Sequence, residues 1–208
     1  MSKRSYGQYC GLARSLDVVG GRWTLLIVRE LLDGPARYNK LLEGLPGIAT
    51  NLLADRLRQL EEAGVVERSL DTGSNSVAYS LTPWGAELRG VVTALVTWSK
   101  PLMVSGPQGD TFQPHWLSVA LGSLLDNKHT DLPKTVGLEV EDTFVTVRTD
   151  RSGVTVALGD HAQPETVLRA EPMVILGLAS GMLTVDQAIA AGDFRGDKDD
   201  LAETLSPS

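Results

Sequence analysis

From Asn39 to Leu81 the chain carries a pattern that few folds can accommodate. Asn39 to Glu43 reads as a short helix, stopped by Gly44-Leu45-Pro46-Gly47, a turn too tight for either neighbouring helix to cross. Thr50, whose side-chain oxygen suits a free N–H, is expected to cap a second helix running to Glu62. Leu53, Leu57 and Leu60 recur there at i, i+4 and i+7, so one face is committed to a core. Gly64 ends the helix. Val65-Val66-Glu67-Arg68 and Val77-Ala78-Tyr79-Ser80-Leu81 then flank the polar stretch Asp71-Thr72-Gly73-Ser74-Asn75-Ser76, as in a hairpin. Two helices about a tight turn, followed by a hairpin, predict a helix-turn-helix with a β-wing.

The flanks extend this unit. Leu12, Leu16 and Val19 share one helical face, and Gly20-Gly21 is expected to end that helix through a left-handed cap. Trp23 to Leu32 is almost wholly apolar, a helix buried on most sides, and Asp33-Gly34-Pro35 is a turn. Thr82-Pro83 pairs a cap with proline at the first helical position; the helix after it carries Leu88, Val91, Leu95 and Trp98 on one stripe. Ser105-Gly106-Pro107-Gln108-Gly109-Asp110 has no apolar side chain and reads as a linker. We therefore expect domains at 1–104 and 111–208, joined by 105–110. Charge changes at the same place. Residues 1–100 hold 12 Lys and Arg against 10 Asp and Glu, while 101–208 hold 7 against 16. A first half that meets DNA and an acidic second half kept away from phosphate fit this split, as do two domains that merely differ in surface chemistry.

In a helix-turn-helix the second helix enters the major groove, about 12 Å wide, and its first turns face the base edges. Opposite the leucines lie Asn51, Asp55, Arg58 and Glu62. Asn51 suits adenine and Arg58 suits guanine or a phosphate; Asp55 suits cytosine or the orientation of an arginine. Thr50 and Arg56 belong to the same interface, Arg56 toward the DNA backbone. Arg37, Asn39 and Lys40 are candidate phosphate anchors. Arg68 is the only cation at the base of the wing, whose tip has none. Each of these residues taken singly also suits an ordinary solvated surface.

Many short motifs then fall in a familiar order: Cys10, Leu16-Asp17-Val18-Val19-Gly20-Gly21-Arg22-Trp23-Thr24, Arg29-Glu30-Leu31, Gly34-Pro35-Ala36-Arg37-Tyr38, Leu45-Pro46-Gly47-Ile48, Leu60-Glu61-Glu62-Ala63-Gly64 and Tyr79-Ser80-Leu81-Thr82-Pro83-Trp84-Gly85. Across roughly residues 9–99 the chain resembles the HxlR family of bacterial winged helix-turn-helix transcription regulators. The resemblance implies a homodimer on pseudo-palindromic double-stranded operator DNA, with its dimer surface from the first helix and the Leu88/Val91/Leu95/Trp98 stripe. That stripe equally suits intrachain core. Family members often have a more basic recognition region than Ala49, Asn51 and Asp55 supply, which leaves the operator open. Cys10 matches the cysteine with which some members sense oxidants or electrophiles, and Arg14, at i+4, is the expected source of a lowered thiol pKa. The alternative is a small buried hydrophobe at a dimer interface.

Beyond residue 110, a helix over 113–127 is expected to turn Trp116, Val119, Ala120, Leu124 and the neighbouring leucines inward. Period-2 segments follow at Val136/Leu138/Val140, Val145/Val147/Thr149, Val154/Val156/Leu158 and Thr166–Ala170, then helices near 172–180, 184–190 and 198–205, with a strand at Phe194-Arg195. The expected class is α+β, a mostly antiparallel sheet with helices on one face. Ala170-Glu171-Pro172, Leu176, Gly181 and the run Ala188 to Asp197 resemble the SCP2-like (sterol carrier) fold over about residues 113–206. That resemblance implies an apolar tunnel. Its candidate lining is Trp116, Phe144, Met173, Leu176 and Met182, which also suit plain core.

Other classes fit poorly. His115, His129 and His161 stand in no metal or nucleophile spacing, and the glycine pairs lack a P-loop lysine. Asp197, Asp199 and Asp200 suit a helix N-terminus rather than a calcium loop. No enzyme, cofactor or metal is expected. No apolar run approaches the roughly 20 residues of a membrane span. The polar start Met1–Ser5 has no secretory core, and a single cysteine suits the cytoplasm. The expected protein is a cytoplasmic DNA-binding regulator, a repressor, with an apolar small-molecule effector. A lipid or acyl carrier dimerised by its winged helix, and a redox regulator acting through Cys10, are the alternatives.

Overall fold

The computed structural model describes residues 5–71, 76–159 and 164–207; the wing tip at 72–75 and His161 lie outside the described residues. The chain divides into two compact units, 1–92 and 93–208. The division falls inside a helix, upstream of the stretch expected as a linker. Ser105–Asp110 is a connector, turning through Gly106 N–H to Met103 O and Asp110 N–H to Pro107 O, but it connects elements within the second unit.

The first unit comprises α1 (Gly11–Val19), α2 (Thr24–Leu31), β1 (Ala36–Arg37), α3 (Tyr38–Gly44), α4 (Thr50–Glu62), β2 (Val66–Asp71), β3 (Ser76–Leu81), α5 (Pro83–Ala86) and the start of α6 (Leu88–Trp98). The sheet order is β1-β3-β2, all antiparallel, with Ala36 opposite Tyr79 and Val66 opposite Leu81. The sequence did not announce β1, because two residues carry no periodicity. The helix-turn-helix and wing stand as expected. Ile27, Val28, Leu41, Leu45, Leu53, Leu57, Leu60, Val65 and Val66 are fully buried. Each contributes about 1.5–3 kcal/mol of transfer free energy to this core.

Three local expectations change. Thr50 is the first residue of α4, not its cap; Ala49 holds that place with no side-chain bond. Gly20 caps α1 at φ −74°, so no left-handed cap forms there; the left-handed residue is Trp23, at φ 77°. Gly21 is small for another reason, since a Cβ there meets Thr24 Oγ1 at 3.0 Å and Arg56 Cζ at 3.1 Å. The helix after the wing is interrupted at Glu87, giving α5 and α6. Its cap is as expected: Thr82 Oγ1 accepts from Gly85 N–H at 3.0 Å and donates to Gly64 O at 2.7 Å.

The second unit contains the end of α6, α7 (Lys100–Met103), α8 (Trp116–Leu124), β4 (Lys134–Val140), β5 (Thr143–Asp150), β6 (Gly153–Leu158), β7 (Thr166–Arg169), α9 (Pro172–Ser180), α10 (Val185–Ala190), β8 (Asp193–Arg195) and α11 (Lys198–Leu205). The sheet order is β6-β5-β4-β7-β8, antiparallel except for β4 beside β7. Val136, Leu138, Val140, Val145, Val147 and Leu168 form its core face, under Leu117, Leu121, Ile175, Leu178, Leu201 and Leu205 from the helices. On α8 the inward residues are Leu117, Val119 and Leu121, while Trp116, Ala120 and Leu124 are half-buried. The segment Trp-Leu-Ser-Val-Ala-Leu-Gly-Ser-Leu is apolar nearly all round, so its phase was not readable. Lys128 closes α11, donating to Ala202 O at 3.0 Å and to Ser206 O. Asp197 accepts from Asp199 N–H at 2.7 Å at the other end of that helix, the role expected of the acidic run.

Candidate DNA-binding interface

Burial of Leu53, Leu57 and Leu60 fixes the roll of α4 and turns Asn51, Arg58 and Glu62 outward, with Asp55 half-buried beside them. Its start is pinned to α3 by Tyr38, whose hydroxyl donates to Thr50 O at 2.6 Å. Sequence reasoning passed over Tyr38. An aromatic at the head of the first helix of the turn was the available signal. Thr50 is exposed, and Asn51 Oδ1 accepts from Leu52 N–H at 2.9 Å, leaving the amide nitrogen outward as a donor.

The arginines differ in what they hold. Arg58 Nη2 donates to Asp55 Oδ1 at 2.7 Å, both side chains half-exposed. Arg56 instead braces the loop before α2, with Nε donating to Arg22 O at 3.2 Å and Nη1 to Gln59 Oε1 at 2.6 Å. Arg68 Nε lies 2.8 Å from Glu61 Oε1 and ties the base of the wing to α4. Arg37 is exposed at the junction of β1 and α3, and Asn39 and Lys40 are exposed in the first turn of α3. Of the expected residues, Arg37, Asn39, Lys40, Thr50, Asn51 and Arg58 are exposed, whereas Arg56 and Arg68 are engaged within the protein.

The stripe of α6 is not intrachain core. Val91 and Leu95 are each 44% exposed and Trp98 71%, with Leu88 half-buried. Leu12 and Leu16 of α1 are exposed as well. In the first unit a groove of about 670 Å³ runs between α1 and α5–α6, lined by Val18, Val19, Val65, Trp84 and Val91. Cys10, at the head of α1, is exposed. Its thiol is held below the usual range by the backbone N–H groups of Ala13 and then Leu12, which favour the thiolate. Arg14, the charge expected to do this, has no part in it.

In the second unit the expected tunnel lining does not converge. Leu176 packs on the core face, whereas Phe144 alternates to the other face of the sheet, where a Cβ on Gly137 would lie 2.5 Å from its Cζ. Met173 and Leu176 stand one turn apart on α9, half-buried; Met182 is exposed beyond it. Trp116 packs edge-on to Phe112, ring centroids 6.2 Å apart. Among the described residues no group of His, Cys, Asp or Glu could hold a metal ion, and no helix is long and apolar enough to cross a membrane.

Residues 18–105 match the model of the HxlR-like helix-turn-helix family. An HTH-type transcriptional regulator of Synechocystis, sll1512, is 38% identical over 90 residues, 43% of this chain and 67% of that one. YodB of Bacillus subtilis, also an HTH-type transcriptional regulator, is 36% identical over 86 residues, 41% of this chain and 77% of that one. YtcD of the same organism is 31% identical over 129 residues, 62% of this chain and 96% of that one. The solved structure of reduced YodB superposes with a TM-score of 0.41 at 33% identity, covering 48% of this chain and 99% of that one. The matched relatives are regulators of transcription, and the chain belongs to the HxlR-like helix-turn-helix family.

Proposed function

We propose that the protein is a dimeric, cytoplasmic transcriptional repressor that places α4 of each protomer in successive major grooves of a two-fold operator. The observation that carries this is the roll of α4: its leucines are sealed in the core, and Asn51 in its first turn and Arg58 two turns further on are both exposed. Lys40, Asn39 and Arg37, one element earlier, supply phosphate contacts that fix register. The exposed apolar residues of α1 and α6 supply the surface on which a second copy closes, so that two recognition helices lie about 34–36 Å apart. The second unit is the effector module, of SCP2-like architecture. Met173 and Leu176, half-buried one turn apart on α9, are the candidate contacts of this reading. A polarisation titration tests the core of this reading. The full-length protein should enrich a palindromic sequence from random duplexes and bind it at least a thousandfold or so more tightly than unrelated DNA. Equal affinity for all duplexes refutes it.

A second reading has its own observation. Cys10 is exposed at the start of α1, and its thiolate is favoured by backbone N–H groups. In this reading oxidants or electrophiles modify Cys10 and release the DNA. YodB, the relative from Bacillus subtilis, has been crystallised bound to quinone and after diamide treatment. With one cysteine per chain, the product is an intersubunit disulfide or a mixed disulfide with a small thiol. Loss of operator binding on diamide treatment, abolished in Cys10→Ser, supports this reading; an unchanged response in that variant refutes it.

A further inference from the structure

Asp55 stands where a carboxylate is costly, on the side of α4 that faces polyanionic DNA in the reading above. As a stabiliser it does little, because exposed i, i+3 ion pairs contribute marginally to a helix. Its geometry shows another use. Asp55 Oδ1 takes one hydrogen of Arg58 Nη2 at 2.7 Å. Nη2 keeps its second hydrogen, and Nε and Nη1 are without a hydrogen-bond partner among the described residues, so one two-donor edge, Nη2 with either Nε or Nη1, stays open. Arg56, the other arginine of α4, has both Nε and Nη1 engaged within the protein. Arg58 is thus the arginine of α4 that offers a free edge, and Asp55 fixes the plane in which that edge is offered.

We infer that Asp55 is a positioning residue for base recognition: through Arg58 Nη2 it holds the guanidinium so that its free donors meet O6 and N7 of one guanine in each half-site. Arginine pairs with guanine through two parallel donors, and a flexible side chain must otherwise be ordered at the moment of binding. An aspartate already bonded to the guanidinium removes much of that ordering cost before DNA arrives. The inference rests on α4 being the recognition helix.

Selection from a random duplex library tests it, with the full-length wild type, Asp55→Ala, Asp55→Asn, Arg58→Ala and the double alanine variant. The wild type should enrich a palindrome with a guanine preferred roughly 5- to 150-fold at one position per half-site. Asp55→Ala should flatten that position as far as Arg58→Ala does and leave the others intact. Asp55→Asn keeps the Oδ1 acceptor and should recover part of the preference. The double variant should be no flatter than Arg58→Ala. If Asp55→Ala keeps the guanine preference and binds all duplexes more tightly, Asp55 is only a repulsive charge and the inference is overturned. If Arg58→Ala leaves every position unchanged, the inference fails and base reading by α4 passes to Asn51. A wild type that enriches no motif overturns the DNA-reading assignment and the inference together.

Discussion

Gly85 decides how the wing is joined to the helices after it. Its backbone lies so close to the residue before β2 that a Cβ would sit 2.0 Å from Val65 O, 3.0 Å from Val65 C and 3.3 Å from Val65 Cγ1. Ordinary contact begins at 3.4 Å, so in Gly85→Ala α5 must retreat by about 1.4 Å from a backbone atom that cannot swing aside. That retreat breaks two bonds, Thr82 N–H to Val65 O at 3.0 Å and Thr82 Oγ1 to Gly64 O at 2.7 Å. Each is worth about 0.5–1.5 kcal/mol and the residual overpacking about 1–3 kcal/mol. Alanine's helix preference returns about 1 kcal/mol. The net loss is about 1–5 kcal/mol. Gly90→Ala is the matched control: it lies in α6 with nothing within 4 Å of its would-be Cβ, and should stabilise by up to about 1 kcal/mol. Urea denaturation of the full chain, followed by tryptophan fluorescence and far-UV circular dichroism, reads both. Opposite signs are expected. A Gly85→Ala protein as stable as the wild type would refute the packing argument.

Lys40→Ala should weaken binding to all duplexes alike and lower the salt slope by about one, whereas Asn51→Ala should cost about 1–3 kcal/mol at selected bases only; polarisation titrations at several salt concentrations separate the two. Leu95→Asp on the exposed stripe of α6 should give monomers by sedimentation and abolish operator binding, with the circular dichroism of the wild type. Lys128 is nearly buried against the end of α11, and burial lowers its pKa to about 8. Between pH 8 and about 10.5 the unfolded chain therefore binds more protons than the folded one, and stability rises with pH through that window. Discounted for water's access to the ammonium, the gain is about 1–2 kcal/mol, and it should be absent from Lys128→Met in urea titrations at pH 7 and pH 10.

The fold was legible wherever a period was strong and one-sided. Leu53, Leu57 and Leu60 announced both the existence and the roll of α4, and the alternation in β4 and β5 announced the core face of the second sheet. It was illegible where local signal and tertiary demand diverge. α8 is apolar around its circumference, so only packing against the sheet chooses Leu117 and Leu121 over Trp116 and Leu124. β1 exists because β3 offers an edge, and Gly21 is a glycine because Arg56 crosses the chain there.

The candidate interface shows the same limit in its charges. Counting cations along the helix-turn-helix treats Arg56, Arg58 and Arg68 as equivalent. Their partners separate them: for Arg56 a carbonyl on another loop, for Arg58 an aspartate one turn away, for Arg68 on the wing a glutamate of α4. Of these three, the aspartate lies at the spacing of helical neighbours, as does Gln59 beside Arg56. An arginine whose donors are filled by its own chain reaches a phosphate only by giving up those bonds, so such residues add less to affinity than their charge suggests. If α4 reads DNA as proposed, the phosphate grip is expected to fall chiefly to Lys40 and its neighbours at the start of α3, and discrimination to Asn51 and Arg58 of α4. A salt slope well above what those few cations supply would mean that Arg56 and Arg68 let go of Arg22 and Glu61 when DNA binds.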